Sequence, residues 1–253
     1  MILKSLATNY TNYTKLNLWI SCNSWLFFLA MDWGCMSIIT IERKVLEKND
    51  EIARQNRAAF LQQGLFVFNM VSSPGAGKTS ILERTLEHLQ GALRVGVIEG
   101  DVQTDFDARR VARYQVPVVQ IITNGGCHLE ARLVQDALAS LDLAALDMLI
   151  IENVGNLVCP ANYDLGEALK VVVLSTTEGD DKPLKYPGMF LNASVLIINK
   201  TDLIPYVNCD PAALRRHALQ INPSLIIFET SCTTLAGIPE WCDWLKSKVS
   251  RRP

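Results

Sequence analysis

The stretch "FNMVSSPGAGKTS", residues 68–80, is the part of the sequence that decides the fold. An apolar run enters a glycine-rich turn that ends in Gly-Lys-Thr, and the chain then becomes amphipathic. Residues 72–79 match the phosphate-loop pattern G-x-x-x-x-G-K-[ST] except at the first position, where Ser72 replaces glycine. A loop of this kind presents backbone amides and a helix N-terminus to phosphate groups. The stretch therefore predicts a strand, a phosphate-binding loop and a helix, in that order.

Each residue type in this loop has an expected task. Gly75 and Gly77 allow the backbone shape in which amide hydrogens point at phosphate oxygens. Lys78 is expected to reach the β- and γ-phosphates, and the hydroxyl of Thr79 to bind Mg²⁺. The alternative is a chance glycine-rich turn, which the strand signal before the loop and the helix signal after it disfavour. The residues expected to bind nucleotide here are Gly75, Ala76, Gly77, Lys78, Thr79 and Ser80.

Short apolar runs rich in Val and Ile alternate with amphipathic stretches along the chain. The runs cover residues 65–71, 94–98, 116–122, 148–151, 171–174, 195–198 and 225–228. Continuous apolar strands separated by helices indicate an α/β fold with three layers, a mostly parallel sheet covered by helices on both faces, as in P-loop NTPases. A helix-like stretch over about residues 41–64 precedes the first run. Because ligands bind beyond the carboxyl ends of such strands, each strand end is a candidate site.

Composition limits the class of protein and its partners. The chain has 253 residues, of which 49% are hydrophobic, and this is enough for one large core. A net charge of −2 disfavours a nucleic-acid partner or an electrostatic attachment to a membrane. Seven cysteines without a disulfide framework pattern favour a reducing compartment, so a cytoplasmic location is expected.

Residues 1–40 differ in texture from the rest of the chain. Between residues 16 and 41 there is one charged side chain, Asp32, together with three of the five tryptophans. The segment can be interpreted as a signal-peptide core, as a membrane span interrupted by polar residues, or as a disordered or non-native extension upstream of a start at Met31 or Met36. We favour the last interpretation, with residues 41–253 forming the folded domain.

The segment "VLIINKTDL", residues 195–203, is expected to recognise the base. It places Asn199, Lys200 and Asp202 at the end of a strand. A carboxylate at this position can accept hydrogen bonds from N1–H and the 2-amino group of guanine, and adenine offers neither donor. The later segment "ETSCTTLAGI" places Ser231 and Cys232 where a loop would close over the base. Together these features favour GTP over ATP and make the domain a candidate GTPase.

Two acidic strand ends lie between these motifs. The segment "VIEGDVQTDFDARR" contains Asp101, and "LIIENVGNLVCP" contains Glu152. Hydrolysis of a nucleoside triphosphate needs a carboxylate near Mg²⁺ and a group that orients the attacking water. Asp101 is expected to act at the Mg²⁺ or at the water, and Glu152 stands where a Walker-B acid would stand; with Lys78 they are the candidate catalytic residues. For Asp105 and Asp107, helix capping or surface ion pairs are the expected roles.

A cysteine–histidine pair in "GGCHLEARLV" is a candidate for metal binding. Cys127 and His128 follow the run 116–122, and Cys159 follows the run 148–151. The order of the runs suggests that these two strands are sheet neighbours, which would bring the three side chains to one ion. Two thiolates and an imidazole suit Zn²⁺ or Ni²⁺ rather than Mg²⁺, and leave a fourth position for water or a second subunit. The spacing leaves open the alternative of a buried cysteine beside a helix-capping histidine.

Long motifs in a fixed order, from about residue 45 to 244, resemble the hydrogenase nickel-incorporation GTPases of the HypB family. They are "NRAAFLQQGLFVFNMVSSPGAGKTS", "IEGDVQTDFDARR", "NGGCHLEARLV", "ENVGNLVCPANYDLGE", "TEGDDKPLKYP" and "INKTDL". The family usually has serine at the first phosphate-loop position, which matches Ser72. The Cys-rich motif or His-rich tract that some members carry at the N-terminus is not found, because only Cys22 and Cys35 stand there, without a histidine.

The resemblance implies a Mg²⁺-dependent, dimerising P-loop GTPase that helps to deliver nickel to the large subunit of [NiFe]-hydrogenase. It implies that Cys127, His128 and Cys159 bind zinc or nickel at a dimer interface. It also implies two partners, a small zinc-containing nickel chaperone of the HypA type and the precursor of the hydrogenase large subunit.

Three other interpretations compete with this one. A urease-type nickel-insertion GTPase is similar in fold, but normally carries Cys-Pro-His where this chain has Gly-Cys-His-Leu. A metal-binding or storage module with a vestigial nucleotide site is disfavoured because the nucleotide-site residues are intact; they are Lys78, Thr79, Asp101 and Asp202. A signalling GTPase without a metal leaves Cys159 unexplained.

Overall fold

The computed structural model describes residues 41–249. Its strands are β1 (Phe66–Ser72), β2 (Val95–Asp101), β3 (Val118–Ile122), β4 (Met148–Glu152), β5 (Leu169–Ser175), β6 (Val195–Asn199) and β7 (Ile226–Glu229). Its α-helices are α1 (Ile41–Gln62), α2 (Lys78–Leu89), α3 (Phe106–Ala112), α4 (Ala131–Leu138), α5 (Lys182–Lys185), α6 (Pro187–Leu191), α7 (Pro211–Ile221) and α8 (Ile238–Lys248). Each apolar run forms a strand, and the helix expected before the first strand is α1.

The strands form one sheet in the order β3-β2-β4-β1-β5-β6-β7, and every pairing is parallel. The α/β prediction is therefore confirmed. The expectation that β3 and β4 are neighbours is wrong, because β2 lies between them and pairs with both. The chain places β4 between β1 and β2, so β3 becomes the edge strand and the order of runs along the sequence is not their order in the sheet.

Alternating side chains of the strands point to opposite faces of the sheet and enter separate apolar clusters. On one face, Phe68 of β1 packs in a cluster with Trp241 of α8. On the other face, Val67 packs in a cluster with Phe60 of α1 and Val134 of α4. Burying one such side chain fully contributes roughly 1.5–3 kcal/mol, so both helical layers hold the sheet in place. The carboxyl ends of the strands, and the loops that follow them, form the edge on which the predicted site residues lie.

Two of the sequence-based interpretations concern the N-terminal segment and a possible membrane span. The interpretation of residues 1–40 as an atypical extension lies outside the described residues and stays a prediction. Within residues 41–249, no helix combines the length and the apolar character needed to cross a membrane.

Candidate functional site

The phosphate loop joins β1 to α2, as the sequence predicts. Gly75 and Gly77 have φ angles of 78° and 98°, in the left-handed region that glycine adopts without strain. A Cβ atom on Gly77 would lie 2.5 Å from Nδ2 of Asn199, so no other residue fits there. No side chain caps the N-terminus of α2, which begins at Lys78. The amides of the first turn are therefore available to an anion.

Lys78 and Thr79 lie buried at the base of this loop. Nζ of Lys78 donates to Oγ of Ser72 at 3.0 Å and lies 3.9 Å from Oε1 of Glu152. Oγ1 of Thr79 donates to the same Oε1 atom at 2.8 Å. The other carboxylate oxygen, Oε2 of Glu152, is buried without a hydrogen-bond partner. A hydroxyl beside an unsatisfied carboxylate oxygen is an oxygen-ligand set that fits Mg²⁺.

Glu99 is a site residue that the sequence analysis did not select. It is the register partner of Glu152 on the neighbouring strand, and both side chains are buried. Burial, and then the charge of Glu152, raise the pKa of Glu99 well above neutral pH. Burial raises the pKa of Glu152 as well, and the charge of Lys78 offsets only part of that rise. The pair therefore shares one proton, and the ammonium of Lys78, 3.9 Å from Oε1 of Glu152, favours the negative charge on Glu152 rather than on Glu99.

Asp101 ends β2 and lines the same cavity as the phosphate loop. Its Oδ1 atom accepts hydrogen bonds from N of Gln103 at 2.9 Å and from N and Oγ1 of Thr104 at 2.6 and 3.0 Å. Partial burial raises the pKa of Asp101, but the bonds from Thr104 and Gln103 outweigh burial and the net pKa is lowered. Asp101 is therefore an anion at neutral pH, held at the edge of the phosphate cavity.

The two other acids of this segment form surface ion pairs, as expected. Asp105 pairs with Arg109 at 2.7 Å, and Asp107 with Arg110 at 2.9 Å. Arg110 also donates to Glu83 at 2.6 Å and lines the phosphate cavity. The sequence analysis missed Arg110 because an arginine close to acidic residues on a helix is typical of an ordinary surface ion pair.

The base-recognition segment is tied directly to the phosphate loop. Nδ2 of Asn199 donates to O of Ala76 at 3.0 Å, and Nζ of Lys200 donates to O of Gly75 at 2.8 Å. Oδ1 of Asn199 accepts a hydrogen bond from Oγ1 of Thr230 at 3.2 Å. Asn199 therefore joins the end of β6 to the phosphate loop and to the loop that follows β7.

Asp202 is half-buried beside the loop that follows β7. Its Oδ1 atom accepts a hydrogen bond from Oγ of Ser231 at 2.6 Å, and this hydroxyl also accepts from two backbone amides of its own loop. Ser231 thus orients the carboxylate of Asp202. The thiol of Cys232 donates to Oδ1 of Asn199 at 3.7 Å, and burial raises its pKa to about 11, so it is a neutral packing group.

These groups surround a cavity of about 500 Å³ at the carboxyl edge of the sheet. The lining residues are Pro74, Gly75, Gly77, Lys78, Thr79, Ser80, Asp101, Val102, Asp107, Arg110, Glu152, Val154, Gly155 and Lys200. The cavity brings together glycine-rich backbone, three basic side chains, three acidic side chains and the hydroxyl of Thr79. This combination fits the phosphates of a nucleotide with a divalent cation.

Cys127, His128 and Cys159 converge although their strands are not adjacent. One ligand atom from each lies within 4.8 Å of the other two, the only such group of metal-binding side chains in residues 41–249. Sγ of Cys127 lies 3.4 Å from Nδ1 of His128, and Nε2 of His128 is buried without a partner. Burial lowers the pKa of His128, which keeps the imidazole in the neutral form that binds metals. The donor set and the unsatisfied nitrogen fit a thiolate-preferring ion such as Zn²⁺ or Ni²⁺.

Polar residues just after β4 join this cluster to the nucleotide edge. Oδ1 of Asn153 accepts from N of Leu129 at 3.0 Å, next to His128. Nδ2 of Asn156 donates to O of Cys127 at 3.3 Å. The sequence analysis missed both asparagines, although Asn153 directly follows the candidate catalytic residue Glu152.

The fold and these two adjoining sites define the class of the protein, a P-loop nucleotide hydrolase with a cluster of two cysteines and a histidine on the same sheet edge. The nucleotide-binding domain model described as CobW/HypB/UreG matches residues 66–229. The hydrogenase maturation factor HypB of Azotobacter vinelandii is 50% identical over 215 residues, which cover 85% of this chain and 71% of that protein.

Solved structures lead to the same family. HypB from Helicobacter pylori, crystallised in complex with nickel, superposes with a TM-score of 0.76 at 39% identity, covering 81% of this chain and 99% of that one. HypB from Archaeoglobus fulgidus superposes with a TM-score of 0.76 at 37% identity, covering 81% of this chain and 100% of that one. The chain belongs to the HypB family.

Proposed function

We propose that this protein is a GTP-hydrolysing metallochaperone that binds nickel or zinc and assists nickel insertion into [NiFe]-hydrogenase. The observation that carries the proposal is the placement of a phosphate cavity and a Cys127–His128–Cys159 cluster on one sheet edge, joined by the segment after β4. The names of the relatives, hydrogenase maturation factors, and the nickel complex of one of them support the same function.

The proposed preference for GTP rests on Asp202. Its Oδ1 atom is held by Ser231, and the loop that carries it is tied to the phosphate loop through Asn199 and Lys200. A fixed carboxylate would accept hydrogen bonds from guanine and would be left unpaired by adenine. The base would therefore be selected next to the phosphates that are hydrolysed.

Proposed hydrolysis uses the groups at the base of the cavity. Lys78 would lie along the β- and γ-phosphates, and Thr79 with Asp101 or Glu152 would hold Mg²⁺, which supplies charge neutralisation at the phosphates. Asp101, an anion at the mouth of the cavity, would act at the ion or orient the attacking water. Glu99 would keep its proton and donate a hydrogen bond to the neighbouring carboxyl of Glu152.

The proposed cargo site has three protein ligands and an incomplete coordination shell. Metal binding would convert both cysteines to thiolates and would use the unpaired Nε2 or the neighbouring Nδ1 of His128. A fourth ligand from water or from a second copy of the chain would complete a tetrahedron. An open or shared shell suits an ion that is passed on. The homodimer, the HypA-type nickel chaperone, the hydrogenase large-subunit precursor and the cytoplasmic location belong to this proposal.

Turnover of nucleotide tests the enzymatic half of the proposal. With Mg²⁺, the protein should release phosphate from GTP much faster than from ATP, and Lys78→Ala should abolish this activity. Lys246→Ala, a surface lysine of α8, is the matched control and should keep it. Phosphate release from wild type no faster than from Lys78→Ala would favour a metal-binding module with a vestigial nucleotide site.

Metal titration tests the metal-binding half of the proposal. Cys127→Ala and Cys159→Ala should each weaken Zn²⁺ and Ni²⁺ binding while GDP affinity stays at the wild-type value. Cys209→Ala, a half-buried cysteine outside the cluster, is the control and should bind both ions normally. Wild-type titrations in both cluster variants would contradict the shared site. Metal affinities should also differ between GDP and a non-hydrolysable GTP analogue, and equal affinities would exclude nucleotide control of the cluster.

A further inference from the structure

Helix α4 begins three residues after His128 and lacks a cap from its own segment. Its first residue is Ala131, and the preceding Glu130 makes no side-chain hydrogen bond to the helix. The first amides of a helix need acceptors from outside the helix. Oδ1 of Asn49, on α1, accepts from N of Ala131 at 2.9 Å. The cap of α4 is therefore supplied by a different helix.

The same face of α1 also holds the segment that carries the other cysteine. Nδ2 of Asn49 donates to O of Asp164 at 2.8 Å. Two turns further along α1, Nδ2 of Asn56 donates to O of Ala131 at 2.9 Å and to O of Leu165 at 3.0 Å. Asn49 and Asn56 are only 5% and 1% exposed. Each asparagine thus bridges the start of α4 and the segment that follows Cys159.

A glycine allows α1 to come this close. Gly166 has a φ of 95°, and a Cβ atom there would lie 2.7 Å from O of Ala53 and from Cβ of Asn56. Arg57, next to Asn56, adds an ion pair with Asp164 at 2.7 Å. The contact between α1 and this segment is therefore tight and polar rather than a loose apolar packing.

The few residues between this contact and the metal cluster are held rigidly. The buried ammonium of Lys170 donates to three carbonyl oxygens, at 3.0, 3.1 and 3.1 Å, in Pro160, Ala161 and Tyr163. These bonds fix the 3₁₀ turn Cys159–Asn162. The ring of Tyr163 in turn packs on the ring of His128, with 3.9 Å between centroids. A displacement of α1 would therefore reach both ligand-bearing segments.

We propose that Asn49 and Asn56 are positioning residues for the metal cluster. They hold the segment after His128 and the segment after Cys159 at a fixed separation, so that the ligand atoms are arranged before an ion arrives. The inference rests on the metal binding proposed above and adds to it which residues outside the ligand set determine affinity. Groups that orient metal ligands from outside the first coordination shell commonly determine metal affinity.

Zinc titration of the full chain with a chromophoric chelator as competitor tests the proposal. Asn49→Ala and Asn56→Ala should each weaken Zn²⁺ binding by about tenfold, within the range for loss of an orienting group. With Ni²⁺, the thiolate charge-transfer absorption should shift or weaken, which a general loss of stability would not cause. GDP affinity should stay at the wild-type value. Asn49→Asp keeps the acceptor for Ala131 but loses the donor to Asp164, so it should weaken zinc binding as Asn49→Ala does.

Three controls separate positioning from general stability. Gln55→Ala removes an amide of α1 that bonds only Gln135 of α4, and should bind zinc normally. Leu245→Ala creates a cavity at a buried position of α8, outside α1 and the two ligand-bearing segments. It should lower Tm without changing zinc affinity. Cys127→Ala reports on the ligand set itself.

The outcomes distinguish this inference from the proposed function. If Cys127→Ala loses zinc while both asparagine-to-alanine variants bind within about twofold of wild type, the positioning role is wrong and the metal site stands. If Asn49→Asp binds like wild type, Asn49 is only a cap and the bridge is refuted. Because this variant keeps the cap of α4, it decides the matter where an alanine variant does not fold. If wild type binds no zinc or nickel, both proposals fail.

Discussion

Replacement of Glu99 by glutamine tests whether the buried carboxyl pair holds a single proton. Glutamine has the shape of a protonated glutamic acid, keeps a donor for Glu152, and cannot ionise. Burial, and then the charge of Glu152, raise the folded-state pKa of Glu99 above its ordinary value of 4.5. The folded protein therefore retains a proton that the unfolded chain releases. The stabilisation that Glu99 contributes is fully present below its pKa in the unfolded chain, and it declines as the pH rises towards its pKa in the folded protein.

The size of the effect follows from proton linkage. One extra proton in the folded state lowers the free energy of unfolding by about 1.4 kcal/mol for each pH unit. Between pH 6 and pH 8, wild type should therefore lose about 2.7 kcal/mol relative to Glu99→Gln. Other titrating groups are common to both proteins and cancel in the comparison.

Urea unfolding at pH 6, 7 and 8, without nucleotide or added metal, measures this difference. The free energy of unfolding of Glu99→Gln, relative to that of wild type, should increase at each higher pH. The dependence of this free energy on urea concentration should be equal in both proteins, because they expose the same surface on unfolding. Parallel stability curves over this range would refute the assignment of a proton to Glu99. Phosphate release by Glu99→Gln should remain close to wild type, because the amide still donates to Glu152.

Three other substitutions test the site and the fold. Asp202→Asn should lower the preference for GTP over ATP, measured as the ratio of the two kcat/KM values, by at least about 100-fold, since such a site can provide a preference of roughly 10⁴-fold. An unchanged ratio would contradict guanine recognition by Asp202. Gly77→Ala should abolish GDP binding in calorimetry while the circular dichroism spectrum is kept, because its Cβ would lie 2.5 Å from Nδ2 of Asn199; normal GDP affinity would show that the loop tolerates a side chain. Gly166→Ala should lower the free energy of unfolding in urea by about 2 kcal/mol or more, because its Cβ would lie 2.7 Å from O of Ala53 at a φ of 95°, and a loss under about 0.5 kcal/mol would contradict the tight contact of α1.

The strands could be predicted because parallel strands buried on both faces need continuous apolar runs. Every run rich in Val and Ile became a strand, and the glycine–lysine–threonine turn lies between β1 and α2 as predicted. Roles for single site residues could also be predicted, because Lys78, Thr79 and Asp202 lie in short motifs in which each residue type has one dominant physical role. GTP preference and the roles of these residues remain predictions until the assays above are done.

Sheet order could not be predicted in the same way. It depends on which connection crosses which strand, and the apolar runs are too alike to carry that information. The expected contact between β3 and β4 was wrong, yet Cys127 and Cys159 still converge, because the loops after both strands reach across the end of β2. The asparagines of α1 were missed for a related reason. A polar residue on an amphipathic helix signals solvent, and only its partners reveal that it is buried.

The segment after β4 is where the two sites meet. Glu152 accepts a hydrogen bond from the phosphate-loop threonine, and Asn153 accepts one from the amide next to His128. Gly155 fits closely against the phosphate loop, because a Cβ atom there would lie 3.1 Å from Cα of Pro74, and Cys159 follows four residues later. A phosphate group that displaces this segment would change the position of a metal ligand. Linkage is reciprocal, so the factor by which a GTP analogue changes zinc affinity must equal the factor by which zinc changes affinity for that analogue. A factor of one would mean that nucleotide and zinc bind independently, and the segment after β4 would then not couple the two sites.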